Sequence, residues 1–209
     1  MTYKTALRMF RQLRSLLSQD GTLLVGTVEM DEGYFGGKEK WRHASKRGTK
    51  RGRGSAGKTP VFGMAQRAMP SIGMPSKIVA EVMPDVTERS LLPHVVTRVL
   101  PASTVYTDEF GVYNGLDHAG YRHSRVAHSQ KVYVAGDVHT NTIKGFWSLV
   151  KRGIGGVYHS VSTQHLQSYL DEYVYRYNHR DDEAPMFDAV RREVPTVRYG
   201  QFGRYHPLG

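Results

Sequence analysis

The 209 residues suffice for one domain with its own core plus appendages, and a 39% hydrophobic fraction with 13 Tyr, 7 Phe and 2 Trp excludes a disordered chain. The absence of cysteine excludes disulfides and thiolate-held zinc, so any metal must sit on oxygen or imidazole ligands, and no apolar run approaches the roughly 20 residues that cross a bilayer. The net charge of +10 is concentrated: residues 38–58 hold nine Lys and Arg against one acid, a net of +8, which leaves +2 for the remainder.

The opening MTYKTALRMFRQLRSLL is basic and amphipathic, with Leu7, Phe10, Leu13 and Leu17 at helical spacing, and it has no signal-peptide cleavage pattern. A cytoplasmic location is the default expectation. The helix should stop before Asp20-Gly21.

A strand at about 23–30 leads to two adjacent acids, Asp31 and Glu32, and then to the basic block. That block (Lys38, Lys40, Arg42, Lys46, Arg47, Lys50, Arg51, Arg53 and Lys58) is rich in Gly and Ser and too poor in apolar residues to bury a core. It reads as a mobile loop that grips a polyanion, nucleic acid first, against the plainer reading of a solvated charged loop. Nine phosphate contacts would give a log-log salt slope of about −8.

Strand-like runs follow at 61–67 and 77–83, completing a meander of three. DVTERSLLPHVVTRVL offers Asp85 and Thr87 as helix caps and sets Leu91, Val95 and Val99 on one side, crossing to a fourth strand that ends at Asp108-Glu109. YRHSRV reads as a fifth strand. The next helix carries the stripe Ile143, Phe146, Trp147 and Val150 and should close at Gly153; TQHLQSYLDEYVYRYN is another, its tyrosines spaced for the core. There is no internal repeat. This order predicts an α/β, RNase H-like mixed sheet of five strands, three antiparallel and then parallel ones, with helices on its faces.

Two strands distant in sequence thus end alike, in MDE at 30–32 and TDE at 107–109. If the first and fourth strands are neighbours, Asp31 and Asp108 converge, and a divalent cation would relieve their repulsion. Strand periodicity directs Glu32 and Glu109 to the opposite face. Two ordinary solvated strand ends are the alternative.

VEMDEGYFGGKEK, GRGSAGKTPVFGM, VYTDEF, HTNTIKGFWSLVKRGIGGVYHSVS and YLDEYVYRYNHR together resemble successive blocks of bacterial insertion-sequence DDE transposases, the group with a zinc ribbon, a helix-turn-helix and an ISXO-type RNase H-like catalytic domain. The resemblance covers nearly the whole chain. It implies a remnant of the helix-turn-helix at 1–20, with the zinc ribbon absent, a catalytic domain at 21–195 containing the basic loop 38–58, and a tail at 196–209. It also implies two Mg²⁺ or Mn²⁺ ions, DNA cleavage and strand transfer at insertion-sequence ends, and a homo-oligomer working on DNA near the nucleoid.

On that resemblance Asp31 and Asp108 are the first two metal-binding acids, and Lys151 is the lysine late in the following helix. The third acid is a departure: where relatives commonly read NTIEGFWS, this chain has Lys144, which cannot ligate a cation while protonated. On the helical wheel Asn141 lies about 60° from the edge shared by Lys144 and Lys151 and is the available neutral oxygen ligand. Lys144, Lys151 and Arg152 join the basic loop as expected DNA contacts. Gly33, where relatives commonly have Thr, is expected to loosen the backbone. His139 reads as a helix-capping histidine, against the alternative that it positions the nucleophile. The rival readings are a DNA-binding remnant without catalysis, with Lys144 holding phosphate, and an unrelated nuclease.

Overall fold

The computed structural model describes residues 1–18, 21–36, 57–108, 110–126 and 138–193, with residues 192 and 193 described by backbone alone. Five strands, β1 (Thr27–Phe35), β2 (Thr59–Gln66), β3 (Lys77–Val82), β4 (Thr104–Thr107) and β5 (Arg122–Arg125), form one sheet in the order β3-β2-β1-β4-β5. The first three are antiparallel and β4 and β5 run parallel to β1. This is the RNase H-like arrangement that the element order predicts.

Alternation along β1 assigns the two faces of the sheet. Val28 and Met30 enter a core shared with α2 (Glu88–Arg98) and the 3-10 turn Gly111–Leu116, where Leu91, Val95, Tyr113 and Leu116 are buried. Phe35, on the other parity, joins Val61, Ala65, Ile78 and Ala80 beneath α3 (Asn141–Gly156) and α4 (Thr163–Asn178). The stripe Ile143, Phe146, Trp147 and Val150 is fully used there.

Two glycines bring α3 close to the sheet. A Cβ on Gly63 would stand 2.3 Å from the Trp147 ring, and one on Gly33 would stand 3.2 Å from it. Gly33 therefore makes room for the indole rather than loosening β1. Gly153 does not close α3, which runs on to Gly156; a Cβ there would meet the Tyr173 hydroxyl at 1.7 Å, so it is a contact point for α4.

The sheet's outer edge is sealed by side-chain amides of α4. Asn178 accepts from the Ile78 N–H at 2.7 Å and donates to the Ile78 carbonyl at 2.9 Å. Gln167 accepts from Val82 N–H at 2.7 Å and donates to the Ala80 carbonyl at 3.0 Å. Both imitate a neighbouring strand.

Three expectations are corrected. β1 does not end at Met30 but continues through the acids to Phe35, because residues 31–35 keep their ladder with β2. In α1 (Tyr3–Ser15) the expected stripe is only partly used: Leu17, just past the helix, is buried and Leu7 half-buried, but Phe10 and Leu13 are exposed, and within the helix Arg14 is the buried residue, its Nε 2.8 Å from Glu172 and its guanidinium over Tyr169. A half-sequestered Glu172 on α4 supplies the counter-charge that makes this contact better than an apolar one. Asp85 does not cap α2; it accepts from the hydroxyls of Thr87 and Ser90, while Thr87 itself caps the helix. A further helix, α5 (Met186–Glu193), was not anticipated.

Candidate metal centre

The parallel ladder pairs Thr27 with Thr104, Val28 with Val105 and Glu29 with Tyr106, so two residues further on Asp31 stands alongside Asp108. β4 stops at Thr107 whereas β1 continues, and the carboxylates gather where the two strands part. One oxygen from each of Asp31, Glu32 and Asp108 lies within 4.8 Å of the others. The expected pair is therefore brought together, and it gains a third member.

Glu32 follows strand periodicity as expected: its carboxylate accepts the hydroxyl of Tyr113 on the far face. Yet the edge of β1 is bare beyond β4, and an oxygen reaches round to the aspartates. The resemblance gave no role to Glu32; the signal available was its adjacency to Asp31 at a strand that overhangs its neighbour. Glu109 lies outside the described residues.

Burial raises Asp31 to about 6, with the Asp108 charge adding to it and Lys144, a backbone amide and Lys151 opposing. Glu32 rises to about 7, again chiefly through burial; the Tyr113 bond opposes this and the two aspartates reinforce it. The Tyr113 hydroxyl is itself pushed well above its ordinary value by burial and by Glu32. Asp108 Oδ1 accepts from the Phe110 N–H at 3.0 Å, which fixes its rotamer just past β4. Burial, and then the neighbouring carboxylates, oppose the ionisation of Asp31 and Glu32, and an oxygen-only set of this spacing fits a hard divalent cation.

α3 lies over this cluster. Asn141, its first residue, is exposed, and its N–H points to His139 Nδ1 at 3.4 Å. Lys144 and Lys151 are exposed and near enough to Asp31 to favour its ionised form, and Lys151 Nζ sits 5.9 Å from the Phe35 ring. Arg152 donates to Ser148 Oγ at 3.1 Å. Lys58 is half-buried just ahead of β2. The other expected DNA contacts, Lys38, Lys40, Arg42, Lys46, Arg47, Lys50, Arg51 and Arg53, lie outside the described residues.

A second carboxylate on the same face of β1, Glu29, is completely buried. Its Oε2 accepts from the amides of Thr142 at 2.7 Å and Ile143 at 3.1 Å, and its Oε1 from Arg67 Nε at 2.7 Å and Thr142 Oγ1 at 2.9 Å. Arg67 also donates from Nη2 to the His139 carbonyl at 2.8 Å and to Nδ1 at 2.7 Å, while its guanidinium covers Tyr106. His139 Nδ1 also stands 3.2 Å from Glu29 Oε1, so the imidazole, the guanidinium and the carboxylate form one cluster at the entry to α3. Glu29 and Arg67 were not singled out from sequence, where a lone acid in a strand reads as a solvent-facing residue.

No helix among the described residues is long and apolar enough to cross a membrane. The chain is 32% identical over 108 residues to an "Uncharacterized transposase-like protein" of Haemophilus influenzae, an alignment covering 52% of this chain and 86% of that one. It is 34% identical over 178 residues to an "Uncharacterized protein in transposable element ISH50" of Halobacterium salinarum, covering 81% of this chain and 58% of that protein's length. A chain of the cryo-EM structure of a simian T-cell lymphotropic virus intasome in complex with PP2A regulatory subunit B56 gamma aligns over 95% of this chain and 58% of its own, at 15% identity and a TM-score of 0.31, too slight a likeness to argue from. The model of the ISXO2-like transposase domain matches residues 23–178, and the chain belongs to that transposase family.

Proposed function

We propose that this transposase domain catalyses metal-dependent cleavage and strand transfer of DNA at insertion-sequence ends. The observation that carries the reading is the convergence of Asp31, Glu32 and Asp108 on one small volume beneath the lysine-bearing face of α3. The three carboxylates would hold Mg²⁺ or Mn²⁺, two ions when the substrate is present. Such ions, when bound, supply Lewis-acid activation of the attacking oxygen and charge stabilisation of the leaving one.

The chain's own groups have separate tasks in this reading. Asp31 and Asp108 anchor the site, and Glu32, oriented by Tyr113, completes the oxygen set in place of the helix-borne acid that Lys144 has replaced. Lys144 and Lys151 balance the acids and meet a DNA phosphate as point charges, with Arg152 further along the helix. The basic segment 38–58 adds backbone contacts that carry no base information. Asn141 stands at the start of α3 as a neutral oxygen donor to the same site. Transposition joins two DNA ends, so the working form is a homo-oligomer on DNA.

A second reading is favoured by one observation, Lys144 itself: a cation beside the carboxylates suits a DNA-binding remnant that no longer cleaves. Manganese-dependent nicking of the element's terminal-repeat DNA separates the two. Cleavage that disappears in Asp31→Ala and Asp108→Ala supports the enzyme; metal-independent binding with no nicking supports the remnant. Lys144→Glu sharpens the comparison, because a large gain in cleavage would mark the native protein as degenerate.

A further inference from the structure

At the start of α3 the side chain that would ordinarily cap the helix is idle. Thr140 holds the cap position and is buried, and its Oγ1 has no hydrogen-bond partner. The amides of Thr142 and Ile143, the two donors that an N-cap side chain usually takes, are bound instead by Glu29, which lies 113 residues away from Thr142 on β1. A local Thr cap would satisfy one of those amides without reaching across the fold. What the remote carboxylate adds is position, because it fastens α3 to the strand that bears the acids.

Glu29 and Asp31 share a face of β1, two residues or roughly 6–7 Å apart. All the accepting capacity of Glu29 is spent on four donors, two to each oxygen, so it has nothing left for a cation. The guanidinium of Arg67 neutralises it and also grips the His139 carbonyl, pinning the chain that enters the helix. Further along, Trp147 rests in the hollow over Gly33 and Gly63. These two holds fix both the height and the rotation of α3, and hence where Lys144 and Lys151 stand.

We infer that Glu29 is the positioning residue of the metal centre: by clamping the first turn of α3 it sets the helix's lysines over Asp31 without touching cation or DNA. The inference rests on the reading of Asp31, Glu32 and Asp108 as a cation site. A residue that acts this way governs turnover, not affinity, since misplacement of charged groups by an ångström costs about 10- to 100-fold in rate.

The test uses the full chain with Glu29→Gln, and Arg67→Lys as a second variant in case the first does not fold. Three readouts are needed: amide hydrogen exchange at Thr142 and Ile143, Mn²⁺ affinity by calorimetry, and Mn²⁺-dependent nicking of supercoiled plasmid resolved into kcat and KM. Exchange at those two amides should quicken about 10-fold or more, consistent with a lost cap, with Mn²⁺ affinity and KM held within about twofold and kcat down about 10- to 100-fold. Unchanged exchange would remove the clamp, and faster exchange with unchanged kcat would reduce it to a structural cap; either overturns the proposal. Loss of Mn²⁺ binding in a folded variant would make Glu29 a ligand and overturn it as well. If the wild-type chain neither binds Mn²⁺ nor nicks, the cation reading fails and takes the positioning role with it, while the exchange data still report whether the clamp exists.

Discussion

Gly63 lies directly beneath Trp147, so close that a β-carbon there would stand 2.3 Å from the indole Cζ2 and 2.7 Å from Ile143 Cδ1. Close packing leaves neither ring nor helix anywhere to go. Gly63→Ala should therefore cost about 1–3 kcal/mol by overpacking, whereas Gly145→Ala, on the exposed face of α3 with nothing within 4 Å, should stabilise by up to about 1 kcal/mol. Urea unfolding of the two variants checks both signs at once.

The carboxylate cluster makes the metal-free protein pH-sensitive in a defined direction. Asp31 and Glu32 titrate near 6 and 7 in the fold against 3.8 and 4.5 ordinarily, so the native state holds more protons than the unfolded one between about pH 4 and 7. Stability from this source is present below that window and lost as pH rises through it. Thermal melts should show Asp31→Asn gaining on the wild type as pH goes from 5 to 8. Added Mn²⁺ should raise the wild-type Tm more at pH 8 than at pH 5 and do little for Asp31→Asn. A wild-type response to Mn²⁺ that is equal at the two pH values would count against the cluster as the binding site.

Tyr113 holds Glu32 by its hydroxyl at the back of the site. Removing that oxygen in Tyr113→Phe leaves the ring to pack with Phe62 and frees the carboxylate to turn, so Mn²⁺ affinity should fall by about 10- to 100-fold, as for other groups that orient a ligand. Calorimetry would read it, with unchanged near-UV dichroism as the check that the core survives.

Gln167 and Asn178 close the edge of β3 with four hydrogen bonds. The double variant Gln167→Ala/Asn178→Ala uncovers that edge to strand addition from a second chain. Sedimentation velocity should show stronger concentration-dependent association than for the wild type, and each lost bond should lower stability by about 1 kcal/mol.

Much of this was legible because period and order are robust signals. The 3.6-residue stripe of Ile143, Phe146, Trp147 and Val150 identifies α3, and the order of strands and helices is enough to make Asp31 and Asp108 neighbours. What escaped depends on lengths and on partners far along the chain. Asp31-Glu32 looks like a stop, but the ladder with β2 carries β1 four residues beyond Asp31 to Phe35, and that overhang is what lets Glu32 join the aspartates from the opposite parity. Glu29 and Arg14 escaped for a shared reason: a buried charge is intelligible only beside its counter-ion, and theirs lie 38 and 158 residues away. Helical spacing in α1 pointed to Phe10 and Leu13, yet the docking face is the one that meets Glu172.

Phe35 and Thr59 are paired across β1 and β2. The segment between them, which includes all nine Lys and Arg of the basic block, must leave and re-enter the fold through one doorway, four residues beyond Asp31. Whatever path it takes, both its feet are planted on the rim where the acids gather. On the proposed function, tethering of that kind raises the effective concentration of positive charge beside the carboxylates, so charge reversal in this segment should weaken DNA capture in proportion to the number of residues reversed.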